Sequence, residues 1–158
     1  MKLATLCLAV ALVGGTADAS LAQSHGKDVV LRPQDVKWGP APPSLPPGAE
    51  AAVLYGDPSK AGPFVIRLKL PKGYQIPAHS HPSMEAITVL SGQFHLGMGA
   101  KADRAQAQEL PPGSFFTLQP SMHHYAWAAE ESVVQINSTG PFDITYVNPA
   151  DDPRKKGK

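Results

Sequence analysis

The chain has little cysteine and little net charge, and both shortages exclude classes of function. Its 158 residues contain one cysteine, Cys7, which lies in an N-terminal segment that we expect to be removed. The mature chain would then have no thiol, which excludes disulfides and thiolate metal ligands. The formal net charge is +1, so we expect no nucleic-acid partner. The clustered positive residues fall in a basic C-terminal tail, residues 149–158, expected to be solvated.

Apolar stretches long enough to anchor a chain in a membrane are also missing. The stretch from Leu3 to Val13 is too short to remain as a membrane span. It follows the positive charge of Lys2 and precedes small residues that permit cleavage after Ala19 or after Ala22. Residues 1–22 are therefore predicted to be a signal peptide, and the mature protein to be periplasmic or secreted.

Helical periodicity is absent over any useful length, and short alternating runs take its place. In Phe64–Leu70 the apolar residues alternate with Arg67 and Lys69, which is typical of a strand with one buried face. Glycine or proline interrupts such runs about every eight to twelve residues, as in an antiparallel sandwich or barrel. We therefore predict an all-β domain over residues 50–148, with further strands at Ala51–Tyr55, Glu85–Leu90, Gln93–Met98, Phe115–Leu118, Tyr125–Ala128, Val133–Ile136 and Phe142–Val147.

A proline-rich arm, residues 23–49, precedes this domain. Its core, Gly39 to Gly48, contains five prolines, whose missing amide donors exclude it from a helix or a central strand. The arm would be either mobile or laid across a neighbouring subunit, since extended proline-rich segments lose little entropy on docking. The second alternative is compatible with a homodimer.

The chemically most informative stretch places two histidines and a glutamate close together. His79 and His81 are two residues apart, so on a strand they face the same side and can present two imidazoles to one ion. Glu85 follows a Pro-Ser turn and begins an apolar run, so it would point inward, where a carboxylate needs a partner such as a cation. Two imidazoles and one carboxylate bind a divalent metal while leaving positions open.

A fourth ligand is expected from the adjacent pair His123 and His124. Successive residues on a strand point to opposite faces, so only one of the two can face the ion. If His124 faces inward, Ala126 and Ala128 line the cavity, and Tyr125 and Trp127 pack outside. If His123 faces inward, the aromatic residues line the cavity instead.

The spacing Gly73-(five)-His79-x-His81-(three)-Glu85-(six)-Gly92 resembles the first motif of the cupins at every specified position. A weaker resemblance to their second motif begins at Gly113 and reaches His124, with Gln119, Ser121 and Ala128 departing from the pattern. The resemblance implies a double-stranded β-helix, or jelly-roll barrel, that belongs to the single-domain members of the family. It also implies His124 as the fourth ligand beside His79, His81 and Glu85.

The expected cofactor is one divalent transition metal ion, which could be Fe, Mn, Cu, Ni, Co or Zn because the ligand set does not rank them. Gln75 shares strand parity with His79 and is a candidate substrate contact. The expected function is that of a metal-dependent oxidoreductase, of the dioxygenase type, acting on a small organic molecule. The alternatives are a non-catalytic protein that binds a metal or small ligand, and a metal-assisted isomerase or lyase.

Overall fold

The computed structural model describes residues 28–155. The predicted signal peptide and the last three residues lie outside this range. Within it the regular secondary structure is almost entirely β-strand, as the alternating pattern predicts. The strands are β1 (Gly39–Pro40), β2 (Glu50–Tyr55), β3 (Gly62–Leu70), β4 (Gln75–Ser80), β5 (Glu85–Ser91), β6 (Phe94–Met98), β7 (Gln108–Leu110), β8 (Phe115–Leu118), β9 (His124–Ala128), β10 (Ser132–Gly140) and β11 (Thr145–Tyr146).

Helical structure in the described range is limited to four short 3-10 turns. They span Pro33–Asp35, Arg104–Gln106, Pro149–Asp151 and Pro153–Lys155. None of the described helices is long and apolar enough to cross a membrane.

The strands form two antiparallel sheets that face each other. One sheet has the order β1-β2-β3-β10-β5-β8, and the other has the order β11-β4-β9-β6-β7. Strand β10 pairs with β3 along its full length, from Ser132 opposite Leu70 to Gly140 opposite Gly62. Chain neighbours such as β4 and β5 therefore lie in different sheets, so the loop between them carries the chain from one sheet to the other.

Apolar residues of both sheets meet in one core between them. In β3 the buried residues Phe64, Leu68 and Leu70 alternate with the partly exposed Arg67 and Lys69, as predicted. Fully buried side chains of this kind stabilise a fold by about 1.5–3 kcal/mol each relative to exposure. Many of these core side chains, including Leu68 and Ile87, also line a cavity between the sheets.

Residues 39–49 of the proline-rich arm pack against the barrel of their own chain. Leu45 is buried in the barrel core, and β1 is the edge strand that pairs with β2. The hydroxyl of Tyr146 donates to the carbonyl oxygen of Ser44 at 2.7 Å, and that of Tyr74 donates to the carbonyl oxygen of Pro46. Proline can occupy β1 because an edge strand leaves one row of amides unpaired.

Within the described range the basic tail is fastened to the domain through Asp152 and Arg154, while Arg154 and Lys155 are exposed to solvent. Asp152 is buried, and Arg154 donates to it and to residues of the preceding loop. The sequence prediction considered only the positive charges of the tail and did not include these acidic partners.

Candidate metal centre

A β-bulge in β4 decides which residues of this strand face the cavity. Ile76 is opposite Ala126, whereas His79 is opposite His124, so β4 has one extra residue between the two pairs. Such an extra residue reverses the alternation of faces. Ile76 and His79 therefore both line the cavity, although they are three positions apart.

The bulge overturns the prediction that Gln75 contacts substrate. Gln75 is exposed, lies opposite Trp127, and does not line the cavity. The prediction assumed unbroken alternation from Gln75 to His79, which the extra residue removes.

Three histidines converge inside the barrel. His79, His81 and His124 each place a ring nitrogen within 4.8 Å of those of the other two, and all three side chains are buried. His124, the first residue of β9, is the inward member of the adjacent pair, because it is buried whereas His123 before it is exposed. Ala126 lines the cavity as expected for this register, and Tyr125 packs on the outer side against Gly97.

Each of the three imidazoles uses its Nδ1 atom for a backbone carbonyl. Nδ1 lies 2.7 Å from the oxygen of Pro77 for His79, 2.8 Å from that of Asp143 for His81, and 3.0 Å from that of Met122 for His124. A carbonyl only accepts, so Nδ1 must carry the proton and Nε2 must present its lone pair. Metal-binding histidines are oriented by this kind of contact.

Glu85 completes the polar group. Its Oε2 atom lies 3.2 Å from Nε2 of His81 and 3.7 Å from Nε2 of His124, and only 2% of the residue is exposed. Burial raises the pKa of Glu85 to about 8. The carboxyl group thus lacks a charge that would compensate its ionised form, and a cation among the histidines would supply one.

Burial also keeps the histidines neutral. It lowers the pKa of His81 to about 4 and that of His79 well below its usual value, with the neighbouring imidazoles adding to the effect at His79. The pKa of His124 is lowered by burial as well. Neutral imidazole is the form that binds a metal, so the donor set fits a divalent transition metal ion.

The turn before His124 keeps a backbone shape that usually requires glycine. Ser121 has φ +64°, and among the described residues it is the only non-glycine residue with a positive φ. Its amide donates to the carbonyl oxygen of His81 at 2.9 Å. This bond connects the turn to the segment that carries His81, so a serine occupies a strained position that supports two of the candidate ligands.

The candidate metal centre faces a cavity of about 480 Å³. This size falls in the usual range for small-molecule sites. The walls are mainly apolar side chains from both sheets, including Ile66, Ile87, Leu96, Phe116 and Ile136. The docked arm adds Pro40, Pro42 and Leu45. Such a cavity limits water around a bound molecule while keeping the polar groups in one place.

Sequence reasoning missed the contacts that orient His81. The ring of Phe142 stacks on that of His81 with centroids 4.4 Å apart and planes 12° apart. The carbonyl oxygen that holds Nδ1 belongs to the next residue, Asp143. Every residue has a backbone carbonyl group, so the residue type at position 143 does not indicate that this group orients a histidine.

Solved structures with the same architecture are cupins. A protein from Methylibium petroleiphilum PM1 that is named as an acetylacetone dioxygenase is 19% identical, with 83% of this chain and 88% of that chain covered and a TM-score of 0.63. The polyketide cyclase RemF from Streptomyces resistomycificus is 16% identical, with 80% and 90% covered and a TM-score of 0.62. An RmlC-like cupin from Shewanella frigidimarina NCIMB 400 is 14% identical, with 73% and 94% covered and a TM-score of 0.55.

The fold is therefore the cupin double-stranded β-helix, as the first motif predicts. The sequence matches the family model described as a domain of unknown function, DUF4437, over residues 17–145, and the chain belongs to this family. No curated protein matches the sequence.

Proposed function

We propose that this protein is a metal-dependent oxidoreductase of the dioxygenase type that acts on a small organic molecule. The observation that carries the proposal is the convergence of three neutral imidazoles, each with Nε2 unprotonated, beside the buried carboxyl group of Glu85. When bound, a redox-active metal would activate dioxygen or polarise a substrate oxygen.

The chain's own residues would hold the ion and shape its surroundings. His79, His81 and His124 would donate Nε2, and Glu85 would contribute an anionic oxygen. The proton that Glu85 holds in the metal-free protein would leave when the ion binds, because a carboxylate must be deprotonated to act as a ligand. The apolar walls would exclude water from the bound molecule.

The lining also restricts the substrate. Among the described residues, no lysine, arginine, asparagine or glutamine lines the cavity. Besides Glu85, two acidic residues line the cavity, but Asp57 accepts bonds from Ser59 and pairs with Lys60, and Asp143 pairs with Arg154. A substrate with its polar group at the metal centre and an uncharged body fits this lining, because a second buried charge would have no partner.

The comparisons support the proposal at the level of scaffold. The neighbour named as an acetylacetone dioxygenase shares the fold at 19% identity. The same scaffold also occurs in a polyketide cyclase, so the reaction has to be tested directly. Export through the signal peptide and assembly into a homodimer are further parts of the proposal, and the first would place metal loading outside the cytoplasm.

The test begins with protein purified from the compartment to which its own leader directs it. We expect one equivalent of a transition metal by elemental analysis, and oxygen uptake with part of a panel of small ketones, phenols and alcohols. His81→Ala should lose both the metal and the oxygen uptake. His95→Ala is the matched control, because His95 lies on the outside of the barrel, stacked on Trp127 at 4.7 Å.

Two other outcomes separate the alternatives. A full equivalent of metal without turnover of any substrate would favour a non-catalytic binding protein. Metal-dependent turnover that continues without oxygen would favour an isomerase or lyase. Retention of the metal and of full activity by His81→Ala would contradict the proposed centre itself.

A further inference from the structure

Arg154, in the last described turn of the chain, is fastened to the loop that contacts His81. Its Nη1 donates to Oδ1 of Asp143 at 2.8 Å and to Oδ2 at 3.2 Å, and its Nη2 donates to the carbonyl oxygen of Ile144 at 2.9 Å. The remaining contacts, from Nε and Nη2, go to the carboxylate of Asp152 at 2.8 and 3.0 Å. The planar guanidinium group thus joins the C-terminal turn to residues 143–144 by a geometry that lysine cannot reproduce.

The same loop orients His81 in two ways. The carbonyl oxygen of Asp143 accepts from Nδ1 of His81, and the ring of Phe142 stacks on the imidazole. The first contact selects the tautomer with Nε2 free, and the second fixes the plane of the ring. Any movement of residues 142–144 would therefore change the orientation or the tautomer of the His81 ring.

His81 differs from the other two histidines because the residue that orients its ring is distant in sequence. His79 and His124 use carbonyl groups two residues before them, at Pro77 and Met122. The acceptor for His81 lies 62 residues away in sequence. Local strand geometry therefore orients two of the imidazoles, whereas a tertiary contact orients the third.

Other bonds hold parts of the loop, but they lie on either side of Asp143. The amide of Phe142 donates to the carbonyl oxygen of Pro58 at 2.8 Å. After the loop, β11 pairs with β4. Between these two points, the Arg154 side chain donates to the carboxylate of Asp143 and to the carbonyl oxygen of Ile144, and the side chain of Ile144 packs in the core.

We propose that Arg154 is a positioning residue for the metal centre, acting through the Asp143 carbonyl on the tautomer and orientation of His81. The proposal rests on the proposed function only in assuming that the three histidines bind a metal. Removal of a contact that supports a metal ligand typically weakens metal affinity by about 10–100-fold. We expect a loss in this range when the guanidinium group is removed.

The experiment uses the full mature chain and two measurements. The first is the Kd for Zn²⁺, measured by competition with a chelator. The second is the tautomer state of the histidines in the metal-free protein, measured from imidazole 15N chemical shifts. Arg154→Met should weaken Zn²⁺ binding by about 10-fold or more and mix the tautomers of His81, with His79 and His124 unchanged.

Further variants separate positioning from general stability. Arg154→Lys should restore little of the Zn²⁺ affinity lost in Arg154→Met, because an ammonium group cannot bond Asp143, Ile144 and Asp152 at the same time. Asp143→Ala keeps the backbone acceptor but loses the carboxylate, and should reproduce part of the Arg154→Met effect. Arg32→Met, which removes an exposed ion pair with Asp35, is the control and should leave both readouts unchanged. All measurements are made well below the unfolding midpoint of each variant.

A wild-type Kd together with a single His81 tautomer in Arg154→Met would overturn the positioning role. Failure of the wild-type protein to bind Zn²⁺ or any other transition metal would instead contradict the proposed function. The 15N measurement would still test the effect of Arg154 on His81 in that case, so the two failures are distinguishable.

Discussion

Nε2 of His81 and Oε2 of Glu85 lie 3.2 Å apart in a buried setting. Burial lowers the pKa of His81 to about 4 and raises that of Glu85 to about 8. Near pH 7 the two groups of the metal-free protein are therefore neutral, and their contact is not an ion pair. A divalent cation would reverse the preference of Glu85, because it stabilises the ionised carboxylate.

The first prediction concerns the pH dependence of stability in the metal-free protein. The pKa of Glu85 is about 8 in the folded state, whereas its ordinary value is 4.5. The protonated carboxyl group therefore contributes its full share to the free energy of unfolding below about pH 4.5, and this share is lost as the pH rises through 8. The lowered pKa values of the histidines affect the free energy of unfolding only below their ordinary value of 6.5, because there the unfolded chain binds protons that the folded chain does not. From pH 6.5 to 8 we expect the free energy of unfolding to fall because of Glu85.

Urea denaturation at several pH values measures this slope. Glu85→Gln should flatten it between pH 6.5 and 8, because the amide does not ionise. Adding metal should also remove the decline, since the bound form requires the carboxylate. An equal decline in the Gln variant would show that another group is responsible.

The second prediction compares the two adjacent histidines. His124→Ala removes a buried imidazole whose Nε2 faces Glu85, whereas His123→Ala removes an exposed one. Loss of a contact that supports a ligand is expected to weaken metal binding by about 10–100-fold. Loss of a direct ligand should weaken it further. Isothermal titration with a transition metal should show this loss in His124→Ala and an unchanged Kd in His123→Ala. The reverse pattern would mean that β9 has the opposite register.

The third prediction concerns the strained turn before His124. A non-glycine residue in the left-handed region costs about 1–2 kcal/mol, and Ser121 occupies that region. Ser121→Gly should therefore raise the free energy of unfolding, by about 0.5–1 kcal/mol after the entropic cost of glycine is subtracted. Chemical denaturation measures the change. Ser114→Gly is the control, because Ser114 has no positive φ, and it should be destabilising.

The fourth prediction concerns the uncharged cavity wall. Hexanoate and hexanedioate can both place one carboxylate at the metal, but only the second must also bury a charge among apolar side chains. An unpaired buried charge is strongly unfavourable, so hexanoate should bind the Zn²⁺-loaded protein at least about 10-fold more tightly, a difference of about 1.4 kcal/mol. Competition calorimetry measures the ratio.

A lysine introduced at Leu96 tests the cause of this discrimination. Leu96 lines the cavity and is only partly buried, so Leu96→Lys should admit the second carboxylate and reduce the ratio. Leu96→Met keeps an apolar side chain of similar size and should preserve it. Equal affinities for the two acids in the wild-type protein would contradict the proposed substrate shape.

The sequence predicted the architecture because that information is carried by residue type and spacing. Alternation in Phe64–Leu70 predicts a strand with one buried face, and the intervals between His79, His81 and Glu85 predict their convergence. The resemblance to the second cupin motif favoured the inward register of His124, which the exposure of His123 agrees with.

The failed predictions depend on backbone geometry and on tertiary partners. The bulge between Ile76 and His79 turns Gln75 outward, and nothing in residue type marks one inserted position. The docking of Leu45 and of Arg154 depends on partners remote in sequence, which no local pattern contains. Local reasoning therefore identified the candidate ligands but missed part of what surrounds them.

The docked arm has a consequence for how the mature N-terminus can be generated. A boundary at residue 50, where the alternating strands begin, would strip Pro40, Pro42 and Leu45 from the cavity and leave the hydroxyl groups of Tyr74 and Tyr146 without their acceptors. A chain cut within residues 39–49 would therefore lose this wall of the cavity. Removal of the proposed signal peptide near residue 22 would keep the wall, whereas trimming into the prolines would expose the cavity to solvent on that side.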